Sequence, residues 1–323
     1  MRIFTFSRIV MAMTLAVGAS LSVQAAQPPT TLIVGFQAGG GLDSVARALA
    51  NALNTEGGQK IIVENKPGAS GIIAIDAVRN ARKGESVLVI MPSSSITMTP
   101  HTNKHFKYDP QRDLVPVARI ATYTLGMAAS PKNGIADLSG FVDQANQSIK
   151  LAAYGTAGVG LSPHYVGETL ASQAKVDLAH IPYKGAGPAI NDALGGQIPI
   201  VISTTPSLLS FVRDGRLTLL ATTGSSRDMN FPQTPTFKEL GYTGLEIEEW
   251  FGILAPASTP PEVVEHWNAA INQALTSNTL RDALSSQGFT PAPMSASAFR
   301  DLVLDDYTMW RDVLKDTGDT FSN

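Results

Sequence analysis

The regular alternation of strand and helix patterns between residues 30 and 91 most strongly limits how this chain can fold. Apolar and branched residues are concentrated in three short runs typical of strands, and apolar residues recur at helical spacing in the two segments between them. The strand runs are 30–36, 60–66 and 86–91, and the helical segments are 42–53 and 71–81. This order predicts parallel strands covered by helices, and therefore an α/β fold.

The same alternation restarts after a long extended stretch at 114–130. With 323 residues, the chain is longer than one hydrophobic core usually serves, so we expect two domains. The predicted elements that follow are helices at 137–147, 163–175 and 185–196, strands at 149–155, 176–183, 197–203 and 217–224, and a helical C-terminal part at 260–288 and 295–318. Asp137 is a good N-cap for the first of these helices.

A glycine-rich loop, GFQAGGGLDSVARALA, follows the first strand and leads into a helix. Backbone N–H groups and the helix dipole make such a loop an anion site. It does not match a dinucleotide loop, because Ser44 stands at the sixth position, nor a phosphate loop, because Gly41 and Leu42 replace Lys and Ser/Thr. For Asp43, capping of the following helix is the first interpretation and direct contact with a ligand is the second.

A second loop, YGTAGVGLSPH, contains Thr156, Ser162 and His164. A serine hydrolase would need a proton relay, which this spacing does not provide by itself, and the G-x-S-x-G elbow is missing. We therefore expect Ser162 to cap the helix beginning at Pro163, and leave His164 open between a ligand contact and a structural role. A third loop after Tyr183 brings Lys184, interpreted as a solvated lysine, and Gly185.

Residues 1–25 have the pattern of an export signal: Arg2 and Arg8, an apolar core and a small-x-small motif ending at Ala25. We expect cleavage after Ala25 or one residue later. The chain has no cysteine, which excludes disulfides, thiolate chemistry and a lipidated cysteine. Acidic residues outnumber Lys and Arg, 27 to 24, and no basic run suits nucleic acid. These features predict a periplasmic protein. His101 and His105 lack a metal motif and are interpreted as surface residues, so no metal is expected.

In their order along the chain, these motifs resemble the Bug-type periplasmic substrate-binding proteins of tripartite tricarboxylate transporters. The segments that carry the resemblance are GFQAGGGLDSVARALA, IIVENKPGASGIIAIDAV, YDPQRDLVPVARIA, YGTAGVGLSPHYVGETL, IPYKGAGPAINDALGGQIPIVIS, RDMNFPQTPTFKELGY and EEWFGILAPASTPPEVVEHWNAAI. The resemblance implies a two-lobed binding-protein fold, each lobe a mainly parallel sheet flanked by helices. Lobe one would comprise 26–125 and 248–323, and lobe two 126–247.

The resemblance also implies a small organic carboxylate held between the lobes, without a cofactor, and delivered by a monomer to integral-membrane transporter subunits. Transferred position by position, the ligand contacts would be Phe36, Gly39, Gly40, Asp43, Ser93 and Ser94 in lobe one, and Thr156, Ser162, His164, Gly185, Asp192, Ser203 and Thr204 in lobe two. Two alternatives stay open: an exported hydrolase using Ser162 or one of Ser93–Ser95, and a receptor that serves a membrane signalling protein.

Overall fold

The computed structural model describes residues 29–82, 84–104, 106 and 108–315. The predicted export signal at 1–25 lies outside these described residues. Among the helices that they form, none is both long enough and apolar enough to cross a membrane.

The described chain alternates strands and helices in the predicted order. The strands are β1 Thr30–Val34, β2 Ile61–Asn65, β3 Val87–Pro92, β4 Leu114–Ala129, β5 Ala153–Thr156, β6 Ala179–Pro182, β7 Ile200–Thr204, β8 Thr218–Thr222, β9 Glu248–Pro256 and β10 Thr290–Pro291. The helices are α1 Gly41–Thr55, α2 Ile72–Arg79, α3 Ser93–Thr97, α4 Thr99–Thr102, α5 Leu138–Gln147, α6 Ser162–Ala174, α7 Ala186–Gly195, α8 Thr205–Arg213, α9 Pro261–Thr276, α10 Asn278–Ser286 and α11 Ala296–Leu314.

The strands follow the spatial order β2-β1-β3-β9-β4-β7-β5-β6, with β8 and β10 also paired to β4. Strands β1, β2 and β3 are parallel to one another, as are β5, β6 and β7. The central strands β4 and β9 run antiparallel to each other and to their neighbours. The result is a two-lobed α/β fold with mixed sheets, which confirms the predicted fold class.

Strand β4 belongs to both lobes. From Leu114 to Thr124 it pairs with β9, and from Leu125 to Ala129 it pairs with β7. We call the part built around β1–β3, β9 and β10 the first lobe, and the part built around β5–β8 the second lobe. The connection places the carboxyl ends of the parallel strands of both lobes at one cleft, where ligands of such sheets bind.

Helices cover the sheets through the apolar stripes that the sequence predicts. Leu42, Val45, Leu49 and Leu53 of α1 are all buried, and strand β3 is buried along its whole length. Asp137 caps α5 as expected, since its side chain accepts a hydrogen bond from the Gly140 N–H. The elements that sequence reasoning missed are the strands β9 and β10, the helix α8 and the short helices α3 and α4, and β5 begins only at Ala153.

The two lobes touch across the cleft. The Ser70 hydroxyl of the first lobe donates to the Val159 carbonyl oxygen at 2.6 Å, and the Thr102 hydroxyl donates to that of Gly160 at 3.1 Å. At Gly185 a Cβ would lie 3.5 Å from the Gln37 nitrogen, so these loops are also in close approach. The molecule is therefore in a closed arrangement.

Candidate ligand-binding site

A cavity of about 70 Å³ lies between the lobes at the carboxyl ends of the strands. Its walls come from both lobes and from the shared strand β4. The lining residues are Phe36, Gln37, Gly40, Gly41, Leu42, Asp43, Pro92, Ser94, Tyr123, Leu125, Ala157, Leu161, Pro163, Ala186, Ile202, Ser203, Thr204, Ser207, Glu249 and Phe251.

Four helices of nine residues or more begin at this cavity: α1, α6, α7 and α8. The first N–H groups of a helix have no partner within the helix, and its N-terminus carries about half a positive charge. Their convergence gives the cavity a positive potential without a basic side chain. The described lining contains no Lys, Arg or His.

Asp43 holds the glycine loop in shape. It is the third residue of α1, whose N-cap is Gly40, and not the N-cap itself. Its carboxylate accepts hydrogen bonds from the Gly39 N–H (3.0 Å), the Asn65 amide (2.9 Å) and the Arg47 guanidinium (3.0 Å). Burial alone would raise the pKa of Asp43, but these hydrogen bonds outweigh it and hold the pKa below its ordinary value.

This arrangement assigns different tasks to the three glycines. Gly39 has φ +88°, which favours glycine, and its N–H is already bound to Asp43. The amides of Gly40 and Gly41 precede the first helical hydrogen bond, which runs from Ser44 N–H to the Gly40 carbonyl oxygen. Gly40 and Gly41, which line the cavity, are therefore the donors that this loop offers to an anion.

Glu249, in β9, is a buried carboxyl group that sequence reasoning missed. It is 4% exposed and accepts hydrogen bonds from the hydroxyls of Ser162 (2.6 Å) and Tyr123 (3.2 Å). Burial raises its pKa, and these hydroxyls oppose the rise. A signal was present in EEWFGIL: alternation in a strand turns one of two adjacent glutamates inward.

Six of the residues transferred from the resemblance line the cavity: Phe36, Gly40, Asp43, Ser94, Ser203 and Thr204. Thr204 also caps α8, accepting from the Ser207 N–H. Gly39 lies on a neighbouring groove, and Gly185 precedes α7 beside the cavity. The remaining five, Ser93, Thr156, Ser162, His164 and Asp192, are not among the lining residues; Asp192 accepts a hydrogen bond from the Tyr183 hydroxyl at 2.7 Å.

The prediction that Ser162 caps its helix is wrong. The N-cap of α6 is Leu161, and Ser162 is its first residue. The reason is tertiary: the Ser162 hydroxyl is fully buried and donates to Glu249 from the other lobe. Ser162 therefore contacts the cavity only indirectly, through its hydrogen bond to Glu249, which lines it.

Thr156 and His164 shape the second glycine loop. Thr156 bonds to His180 Nε2 at 2.7 Å, and His164 Nδ1 accepts from the Gly160 N–H at 3.1 Å. The two imidazole rings stack with centroids 3.9 Å apart. Desolvation, followed by the charge of His164, lowers the pKa of His180 to about 3, so this ring is neutral. These contacts fix Gly158–Gly160 where they meet the first lobe.

No three His, Cys, Asp or Glu side chains of the described part of the chain are grouped to hold a metal ion. His101 is half-buried and not a surface residue as expected, because its Nε2 lies 3.0 Å from the Tyr307 carbonyl oxygen and its ring packs on the Tyr307 ring. His105 lies outside the described residues.

Residues 45–318 match the family described as the tripartite tricarboxylate transporter family receptor. The chain belongs to this family. The match covers both lobes, and it confirms the resemblance inferred from the motifs.

Three individual proteins are similar to this chain over most of their length. Protein BugT of Bordetella pertussis is 32% identical over 291 residues, which are 90% of this chain and 89% of BugT. MatC from Rhodopseudomonas palustris with bound malate superposes with a TM-score of 0.82 at 27% identity, covering 89% of this chain and 99% of MatC. Rpa4515 of R. palustris with adipate gives a TM-score of 0.84 at 26% identity, covering 90% and 97%.

Proposed function

We propose that this receptor binds a small organic carboxylate between its lobes and delivers it to integral-membrane transporter subunits. The convergence of four helix N-termini on one interlobe cavity carries this proposal, because it provides N–H donors and positive potential for an anion. The malate and adipate in the two R. palustris relatives are ligands of this chemical class. Binding through hydrogen bonds and lobe closure allows the release that transport requires.

A thermal-shift screen with a panel of carboxylic acids tests the proposal, since a ligand that binds the folded state raises the melting temperature by mass action. Gly40→Val is expected to abolish the shift: a Cβ at this position has space and an ordinary backbone angle, but the new side chain lies at the cavity. Gly195→Val, at the far end of α7, is the matched control. No shift of the wild-type protein with any carboxylate would refute the proposal.

We further propose that the chain is not an enzyme. The Ser162 hydroxyl donates to a carboxyl group, and the Ser95 hydroxyl donates to the Ser70 carbonyl oxygen at 2.9 Å, so both are occupied by structural hydrogen bonds. Wild type and Ser162→Ala are expected to show the same absence of turnover on chromogenic esters. Turnover by the wild type that Ser162→Ala removes would favour the hydrolase alternative.

The proposed mature protein is a periplasmic monomer that begins after Ala25, with lobes divided near residues 126 and 247. The change of β4 partner between Thr124 and Leu125, and the start of β9 at Glu248, support these boundaries. N-terminal sequencing of exported protein and light scattering of the purified protein test the cleavage site and the monomer. A dimer or an uncleaved N-terminus would contradict the corresponding part.

A further inference from the structure

Glu249 occupies one of the positive helix ends at the cavity. Its carboxyl group accepts a hydrogen bond from Ser162, the first residue of α6, at 2.6 Å. Carboxylates are stabilised at helix N-termini, and here the carboxyl group at the N-terminus of α6 comes from the protein itself. At the other helix ends, the acids that lie close belong to the lobe of the helix itself: Asp43 is the third residue of α1, and the hydroxyl of Thr205, the first residue of α8, donates to Asp228 at 2.7 Å.

Both oxygens of the Glu249 carboxyl group accept a hydrogen bond from the protein. The Ser162 hydroxyl donates to Oε1 at 2.6 Å, and the Tyr123 hydroxyl donates to Oε2 at 3.2 Å. These donors come from the second lobe and from the shared strand. Glu249, which also lines the cavity, is therefore an acid that the protein itself holds there.

The other charges around the cavity do not offset this acid. Asp43 also lines it, but the Arg47 guanidinium lies 3.0 Å from the Asp43 carboxylate and compensates that charge only. None of the described lining residues is basic. Away from the helix ends, the walls are apolar, with Leu125, Ile202 and Phe251 among them.

We propose that Glu249 takes the place of a second ligand carboxylate, so that this receptor selects acids with a single carboxylate and an uncharged, apolar body. The ligand carboxylate binds at the glycine loop, and its body lies against the apolar walls. A dicarboxylate would bring its second anionic group next to this buried acid, into a lining without a basic side chain, where an unpaired anion is strongly disfavoured. The inference rests on the proposed function and goes beyond it by naming the ligand class.

Calorimetry with matched pairs of acids tests this selection. The two acids of each pair have the same six-carbon chain or the same benzene ring, and the second acid has one more carboxylate: hexanoate with hexanedioate, and benzoate with benzene-1,4-dicarboxylate. In the wild type, the monocarboxylate of the pair that fits is expected to bind about tenfold or more tightly than its partner at neutral pH. Glu249→Gln keeps the size of the side chain and is expected to reduce this preference to about twofold or less.

Glu168→Gln is the matched control, because Glu168 is a half-buried acid of the second lobe that does not line the cavity. It is expected to leave the preference unchanged. The inference is overturned if the dicarboxylate of a pair binds wild type as tightly as the monocarboxylate, a result that needs no variant to fold. It is also overturned if folded Glu249→Gln retains the full preference. A panel acid with two carboxylates that binds the wild type more tightly than its single-carboxylate counterpart would overturn this inference alone, whereas binding of no acid of the pairs or of the thermal-shift panel would overturn the proposed function, and this inference with it.

Discussion

At Gly160, a single added methyl group should weaken ligand binding through a clash between the lobes, in addition to its effect on folding stability. It lies in the second glycine loop with φ +71°, and a Cβ built on it would lie 2.3 Å from the Thr102 hydroxyl oxygen and 3.0 Å from the Thr102 Cβ. Thr102 belongs to the first lobe, so this clash exists only while the lobes are closed. Gly160→Ala should therefore oppose closure.

The magnitude follows from two separate costs. Overpacking of this kind costs about 1–3 kcal/mol, which corresponds to a loss of about 5-fold to 150-fold in ligand affinity if closure is needed for binding. The left-handed backbone costs an alanine about 1–2 kcal/mol, but this strain is the same in the open and the closed protein. It should lower the melting temperature without changing the affinity.

Gly134→Ala provides the control for backbone strain. Gly134 has φ +69° and nothing within 4 Å of its built Cβ, so only the strain remains. Calorimetry with a carboxylate identified in the thermal-shift screen should show weaker binding for Gly160→Ala and unchanged binding for Gly134→Ala. Thr102→Ala in the Gly160→Ala background should restore part of the affinity. Equal affinities of the two glycine variants would refute the reasoning that closure at this contact supports binding.

Two further predictions concern stability. Burial, opposed by a hydrogen bond from the Trp250 indole, raises the pKa of Asp306 to about 6, so the folded state holds this proton more strongly than the unfolded state. The resulting contribution to the free energy of unfolding is full below about pH 4 and is lost as pH rises through about 6. In urea titrations at pH 4 and pH 7, Asp306→Asn should reduce the difference in unfolding free energy between the two pH values by up to about 3 kcal/mol. An equal pH difference for wild type and variant would contradict this. Phe299 is fully buried beside Trp250, with ring centroids 5.0 Å apart, so Phe299→Ala should lower the free energy of unfolding by about 3–5 kcal/mol. Leu302→Ala, at a half-buried residue of the same cluster, should lower the free energy of unfolding by less. A larger loss for Leu302→Ala than for Phe299→Ala would contradict this prediction.

The elements that sequence predicted well are those with a strong local pattern. The strand and helix order through residue 91 and the capping by Asp137 both follow from nearby residues. The apolar run of β9 does not by itself fix its place in the sheet, because β9 pairs antiparallel with both β3 and β4, and the pairing with β3 joins segments far apart in the sequence. The register of that pairing decides that Glu249, and not the adjacent Glu248, turns into the protein.

The site shows the same limit. Gly40, Gly41 and Thr204 lie at the cavity because they stand at or just after the ends of strands that share one edge. The local pattern predicts that Ser162 caps its helix, but its hydrogen-bond partner is Glu249, which is 87 residues away and belongs to the other lobe. A local motif identifies a hydroxyl near a helix start, but only the tertiary fold decides which group that hydroxyl binds.

The pairing of β3 with β9 sets the order in which the chain can fold. Val89 pairs with Leu254, so the sheet of the first lobe stays unfinished until the chain beyond the entire second lobe is available. The second lobe can form from one continuous segment, whereas the first lobe must close a loop that contains it, and contacts so distant in sequence form slowly. During synthesis, strands β1–β3 would therefore remain with the apolar β3 edge uncovered, and shielding of that edge would govern the yield of folded receptor.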